Sequence, residues 1–194
     1  MGKGRLEAFS DGVIAIIITI MVLEMKVPHG NELADLATRL PVFLSYVLSF
    51  VYIGIYWNNH HHLIKAVKQV TGGIMWANLH LLFWLSLVPF ATGWMGENHF
   101  AATPAALYGC VMLLSALAYW ILQRLILCAH GTGSPLVTAF GGDWKGKLSP
   151  ILYMIAIPLA YVNNLISIAL YAAVAIIWVV PDRRIAKAIQ QAEH

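Results

Sequence analysis

The sequence predicts an all-α membrane protein with six transmembrane helices, and three observations carry that reading. Hydrophobic residues make up 60% of the 194 residues and charged residues only 11%, too few for the polar coat of a soluble domain. Apolar segments recur at about 4–27, 41–64, 73–95, 104–128, 148–163 and 165–180, with no repeat and no soluble insertion, so residues 1–194 read as one domain. Lysine and arginine are shared unevenly among the connections, as they are in multi-pass proteins.

The first segment, RLEAFSDGVIAIIITIMVLEM from Arg5, opens on an arginine, a serine and an aspartate. A helix capped by Ser10 or Asp11 would leave residues 12–27 to cover only about 24 Å, short of the ~30 Å of hydrocarbon. The helix is therefore expected to begin near Gly4 and stop before Pro28, with Ser10 and Asp11 more than a turn inside it. Basic residues precede the apolar run as in a signal peptide, but the run is too long and has no small-residue cleavage pattern.

The next three segments each hold the ~20 residues a span requires. In the last stretch, LSPILYMIAIPLAYVNNLISIALYAAVAIIWVVP, the paired amides Asn163 and Asn164 are costly at mid-membrane depth and cheap in a wet turn. They mark a hairpin of two short helices. The glycine-rich stretch HGTGSPLVTAFGGDWKGK reads as a cytosolic connector, and Cys110 and Cys128 lack metal-type spacing.

With the N-terminus inside, Lys3, Arg5, Lys65, Lys68, Arg124, Lys145, Lys147, Arg183, Arg184 and Lys187 are cytosolic, and only Lys26 and Arg39 are external. Both termini are then cytoplasmic. Counting Glu7, Asp11, Asp143, Asp182 and Glu193 inside and Glu24, Glu32, Asp35 and Glu97 outside, the faces carry +5 and −2, so the formal +3 is no nucleic-acid signature.

Inside the first helix Asp11 needs a partner, and Glu7 at i−4 offers only repulsion. The second span ends on the same side as YWNNHHHL and the third begins there with TGGIMWANLHLLFWLSLVPF. Trp57, Asn58, Asn59, His60, His61, His62, Trp76, Asn78 and His80 thus lie within about two turns of Asp11 in height. A hydrogen-bonded brace and a protonation-biased gate are both readings of this layer. The three consecutive histidines point in different directions and cannot chelate a metal together.

On the helical wheel Asp11 stands about 140° from Ile16, whereas Gly12, Ile16, Thr19, Ile20 and Leu23 share one stripe. From the residues alone this stripe faces lipid or a neighbouring helix.

The motif Arg5-x-x-x-Phe9-Ser10-Asp11, followed by GVIAIIITIMVLE, resembles the signature of the transmembrane protein 175 family, the lysosomal and endosomal potassium channels and their prokaryotic relatives. YWNNHHHL and NLHLLFWLSLVPF are similar to that family's second and third helices. The resemblance implies a homotetrameric, potassium-permeable cation channel in the cell membrane, with the first helix of each subunit lining a central pore. It makes Ile16 the hydrophobic constriction, Thr19 a ring of hydroxyls, and Ile20 and Leu23 the rest of the lining. Arg5, Phe9, Ser10 and Asp11, with Trp57, His60, His61, Trp76, Asn78 and His80, become a structural or gating network. The permeating ion is K+, the partner is the chain itself, and no cofactor or metal is implied.

Such a pore has no TVGYG-type loop, so selectivity is expected to be modest and to rest on Ile16 and Thr19 together. Proton conduction through the same pore is the alternative. A small-solute transporter lacks its repeats here, since Pro89 and Pro158 are not in matching halves. A membrane enzyme lacks any H-E-x-x-H or nucleophile motif.

Overall fold

The structure is a computed structural model and describes residues 2–129 and 144–179. Those residues form eight helices and no strand: α1 (Lys3–Leu23), α2 (Leu33–Ala37), α3 (Leu40–Lys65), α4 (Gly72–Ser86), α5 (Val88–Glu97), α6 (Ala102–Cys128), α7 (Trp144–Val162) and α8 (Asn164–Val179). By length and composition α1, α3, the α4–α5 pair and α6 can each cross a membrane, and α8 is a shorter apolar helix. The connector over 130–143 and the charges Asp143, Asp182, Arg183, Arg184, Lys187 and Glu193 lie outside the described residues.

α1 starts at Lys3, close to the expected Gly4, and its 21 residues reach about 31 Å. It stops at Leu23, four residues short of the expected end. Glu24 caps it and the Met25 amide bonds the Val22 carbonyl, a tightening last turn that frees Lys26 to reach Glu97 at 3.0 Å. The third apolar segment is one path interrupted at Leu87, because Pro89 has no N–H and its ring excludes the Leu85 carbonyl.

α7 and α8 are antiparallel. Lys145 Nζ donates to the Ile177 carbonyl and Trp178 Nε1 to Ser149 Oγ at 2.8 Å, joining the start of one to the end of the other. At the turn Asn163 Oδ1 accepts the Leu165 amide and Asn164 Nδ2 donates to the Phe100 carbonyl. The two amides thus satisfy backbone at a chain reversal, beside the α5–α6 turn, and that is the physical reason for the hairpin.

α6 occupies the middle, packed on α4 and α7, while α3 packs on α5 and α8. Several buried hydroxyls are paired: Ser49 Oγ meets Thr92 Oγ1 at 2.7 Å and Tyr108 at 3.1 Å, and Tyr52 donates to the Tyr171 carbonyl at 2.6 Å. Gly96 lets α5 lie directly on α3, since a Cβ there would stand 2.7 Å from Val42 Cα and against Ser45 Oγ. Backbone cannot yield as a side chain does, so Gly96→Ala is expected to destabilise the fold by about 1–3 kcal/mol. Thermal unfolding in detergent checks this; an unchanged midpoint would show that the helices separate freely.

α1 packs on α3, α4 and α5 through Leu6, Ser10, Ile14, Ile17 and Met21. These recur at three- and four-residue steps along one face.

Candidate pore-lining helix and its polar anchor

The other face of α1 is largely exposed among the described residues. Ile16 is 58% exposed, Ile20 40% and Leu23 78%, and Gly12 and Thr19 are exposed with them. Thr19 Oγ1 donates its proton to the Ile16 carbonyl at 2.9 Å. A hydroxyl has one proton and two lone pairs, so this bond leaves only acceptor capacity facing outward, the polarity a cation prefers.

Beside the stripe runs an open groove of about 570 Å³. Ile16 and Ile20 form one wall, and Pro89, Phe90 and Trp94 the other; Glu24 and Glu97 stand in its lining too. The break before Pro89 falls at this place, where α5 packs beside α1.

The opposite face is fixed by a chain of polar contacts. Ser10 is fully buried and donates to the Leu6 carbonyl at 2.8 Å, so its oxygen accepts Asn78 Nδ2 at 2.9 Å. Asn78 therefore presents Oδ1 to His60 Nε2 at 2.7 Å, and His60 must be the donor. The chain runs His60 to Asn78 to Ser10 to Leu6, all in one direction. His60 Nδ1 is then a bare lone pair, buried without a hydrogen-bond partner among the described residues. Asp11 Oδ1 accepts Trp57 Nε1 at 3.0 Å, and Glu7 Oε1 meets His61 Nδ1 at 3.0 Å.

The layer anticipated from helix height is thus assembled in part. Ser10, Asp11, Trp57, His60, His61 and Asn78 come together on α1, α3 and α4. Trp76 is 74% exposed, and His80 is exposed and accepts Trp84 Nε1 one turn along its own helix at 2.9 Å. Both face outward from α4, on the side away from Asn78 and the polar chain. Phe9 is 49% exposed, and Arg5 is exposed, with no hydrogen bond or ion pair of its side chain among the described residues. Asn59 Nδ2 donates to the Ile55 carbonyl on its own helix, and the His62 ring meets the edge of His61. Glu7 was missed as a site residue; its signal was the four-residue step Lys3, Glu7, Asp11. No group of three metal-ligating side chains occurs among the described residues.

A family model described as endosomal/lysosomal potassium channel TMEM175 matches residues 5–89, from Arg5 of the motif to Pro89 of the break. A potassium channel of Chryseobacterium sp. (strain P1-3) is 54% identical over 191 residues, covering 98% of this chain and 100% of that one. The chain belongs to the TMEM175 family. A solved TMEM175 structure, a lysosomal potassium-selective channel homologue from Chamaesiphon minutus, superposes with a TM-score of 0.79 at 30% identity, covering 91% of this chain and 96% of that chain. The endosomal/lysosomal proton channel TMEM175 of Gallus gallus is 36% identical over 103 residues, 47% of this chain and 21% of that protein. TMEM175 is an ion-channel family, not an enzyme family, and the chain is a multi-pass membrane protein.

Proposed function

We propose that the chain is one subunit of a homotetrameric, potassium-permeable cation channel with six spans per subunit and both termini in the cytoplasm. The α1 helices line a common axis, Ile16 forms the constriction, Thr19 the hydroxyl ring, and Ile20 and Leu23 the rest of the wall. One observation carries the reading: α1 turns its Ile16–Leu23 stripe outward while its other face is locked to α3 and α4 by buried hydrogen bonds.

The buried core of the described residues is mostly apolar and its polar groups are largely bonded to one another, which favours an ion path between copies over one through a subunit. Four isoleucines make a collar that dewets when narrow and admits partly hydrated ions when wide. The groove between α1 and α5 leaves room for a neighbouring subunit beside the collar.

The test is reconstitution into planar bilayers under a potassium gradient. Ohmic single-channel currents reversing toward the potassium potential are expected; saturable, concentrative uptake would make the protein a transporter. Thr19→Ala is expected to reduce the K+/Na+ permeability ratio by about two- to ten-fold, the value of one hydrogen-bond-strength interaction. An unchanged ratio removes the hydroxyl ring. Proton conduction through the same pore is the second reading, favoured by the Gallus gallus relative's name. A reversal potential that follows pH instead of potassium would establish it.

A further inference from the structure

α6 buries one face and leaves the other as an apolar ridge with a single charge in it. Ser115, Ala118, Leu122 and Ile126 pack inward, whereas Leu117, Trp120, Ile121, Arg124 and Leu125 are exposed at three- and four-residue steps. α6 packs on α4, α5, α7 and α8, and α4 and α5 stand between it and α1. The ridge is therefore turned to lipid, away from the Ile16 stripe.

The depth of the charge follows from two contacts with α3. Ser49 meets Tyr108 and, further along both helices, the Asn59 carbonyl accepts from Tyr119, so α3 and α6 run in the same direction. Arg124, five residues past Tyr119, comes level with Ile64 and Lys65, where α3 ends. Lys3 at the start of α1 donates to the Lys65 carbonyl, which puts this level at the membrane boundary on the N-terminal side.

Helical side chains lean toward the N-terminus of their own helix, and for α6 that direction is into the bilayer. The Arg124 guanidinium accordingly lies back over the Trp120 ring, 5.3 Å from its centroid. A guanidinium keeps its charge in an apolar setting, and no acidic side chain meets this one among the described residues. One face of the planar group is covered by indole, and its N–H fork remains for an anion with paired oxygens.

We infer that Arg124 and Trp120 hold the phosphate of an anionic phospholipid in the leaflet on the N-terminal side, its acyl chains lying along Leu117 and Ile121. Phosphate is the anion a bilayer supplies at this depth, and the apolar ridge runs inward from it as the chains do. Seven lysines and arginines of this face are among the described residues, against Glu7 and Asp11, so a lipid of net negative charge is preferred to a zwitterionic one. The site does not depend on which helix lines the pore.

The test is native mass spectrometry of the full-length channel in detergent, titrated with dioleoyl phosphatidylglycerol. Arg124→Gln is expected to weaken retention of that lipid about ten-fold, the scale of a charge-assisted pair, and Trp120→Leu about three-fold, the scale of the stacked ring. Lys68→Gln removes the same charge from the turn between α3 and α4 and should stay within about two-fold of the unaltered protein. Trp120, Arg124 and Lys68 are all exposed, so thermal unfolding of each variant should match the unaltered channel and retention is compared between folded proteins. Unchanged retention in Arg124→Gln overturns the site. So does an equal loss in Lys68→Gln, which would mean diffuse attraction, or equal retention of dioleoyl phosphatidylcholine. Inorganic phosphate at the lipid's concentration should not compete; full displacement by it would show that the ridge contributes nothing and would overturn the lipid as the ligand.

Discussion

Replacing Ile16 by alanine or asparagine is expected to raise single-channel conductance and weaken discrimination between potassium and sodium. The change should be on the order of ten-fold for asparagine, equivalent to lowering an apolar barrier by about 1.4 kcal/mol. Alanine widens the collar and asparagine wets it, so the two substitutions separate width from polarity. If width controls passage, alanine suffices. If dewetting controls it, asparagine exceeds alanine even though its side chain nearly matches isoleucine in length. Ile16 is 58% exposed within its own subunit, so either change removes little intrasubunit packing, and stability should fall by no more than about 1 kcal/mol. A functional change therefore cannot be put down to misfolding. Currents indifferent to both substitutions would move the constriction away from α1.

The features of α1 that were legible in the sequence are those that bilayer dimensions dictate. A helix capped at Ser10 is too short to cross, so the start near Lys3 followed from length alone, as did the depth of Ser10 and Asp11. Asn163 and Asn164 were legible for the same kind of reason, because hydrocarbon does not tolerate two exposed amides. The outward turn of Ile16, Thr19, Ile20 and Leu23 followed from the 100° step once Asp11 needed an inward partner.

What stayed hidden depends on pairs of helices. Glu7 looks only repulsive when judged along α1, where its neighbour is Asp11; its partner is His61 on α3. Running the same four-residue step along the second span, through Trp57, His61 and Lys65, would have found it. Trp76 and His80 were placed by height, but their rotation on α4 is set by Ile74, Asn78 and Leu81 facing inward. The three consecutive histidines do point apart, and the consequence is a division of labour: His60 is buried against Asn78, His61 meets Glu7, and His62 is half-exposed.

Asn78→Leu is expected to be the most destabilising of the substitutions at the anchor. The Asn78 amide joins α4 to both α1 and α3, and all three members of the chain are buried: Ser10 0%, Asn78 0% and His60 1% exposed. Ser10 keeps its bond to the Leu6 carbonyl in the variant. His60 does not: Nε2 loses its acceptor while the Nδ1 lone pair already lacks a donor among the described residues, so both ring nitrogens are left unsatisfied. Leaving that donor unsatisfied costs about 1–3 kcal/mol, more than the net value of the bond itself. The asymmetry yields a sharper test than the single variant. If the cost comes from the stranded imidazole, replacing it as well, in Asn78→Leu with His60→Phe, should recover most of the loss, because two apolar groups of fitting shape need no hydrogen bonds. Thermal unfolding in detergent measures the four corners of the cycle, and a coupling of about 1–3 kcal/mol is expected between the two sites. Potassium currents of the double variant then ask a separate question. With stability restored but the buried anchor gone, α1 keeps only its packing and its contacts with Trp57, His61 and Lys65, and Ile16 should be held less firmly toward the pore. Additive losses across the cycle would mean that His60 and Asn78 act independently, and wild-type currents in the double variant would mean that packing alone sets the azimuth of α1.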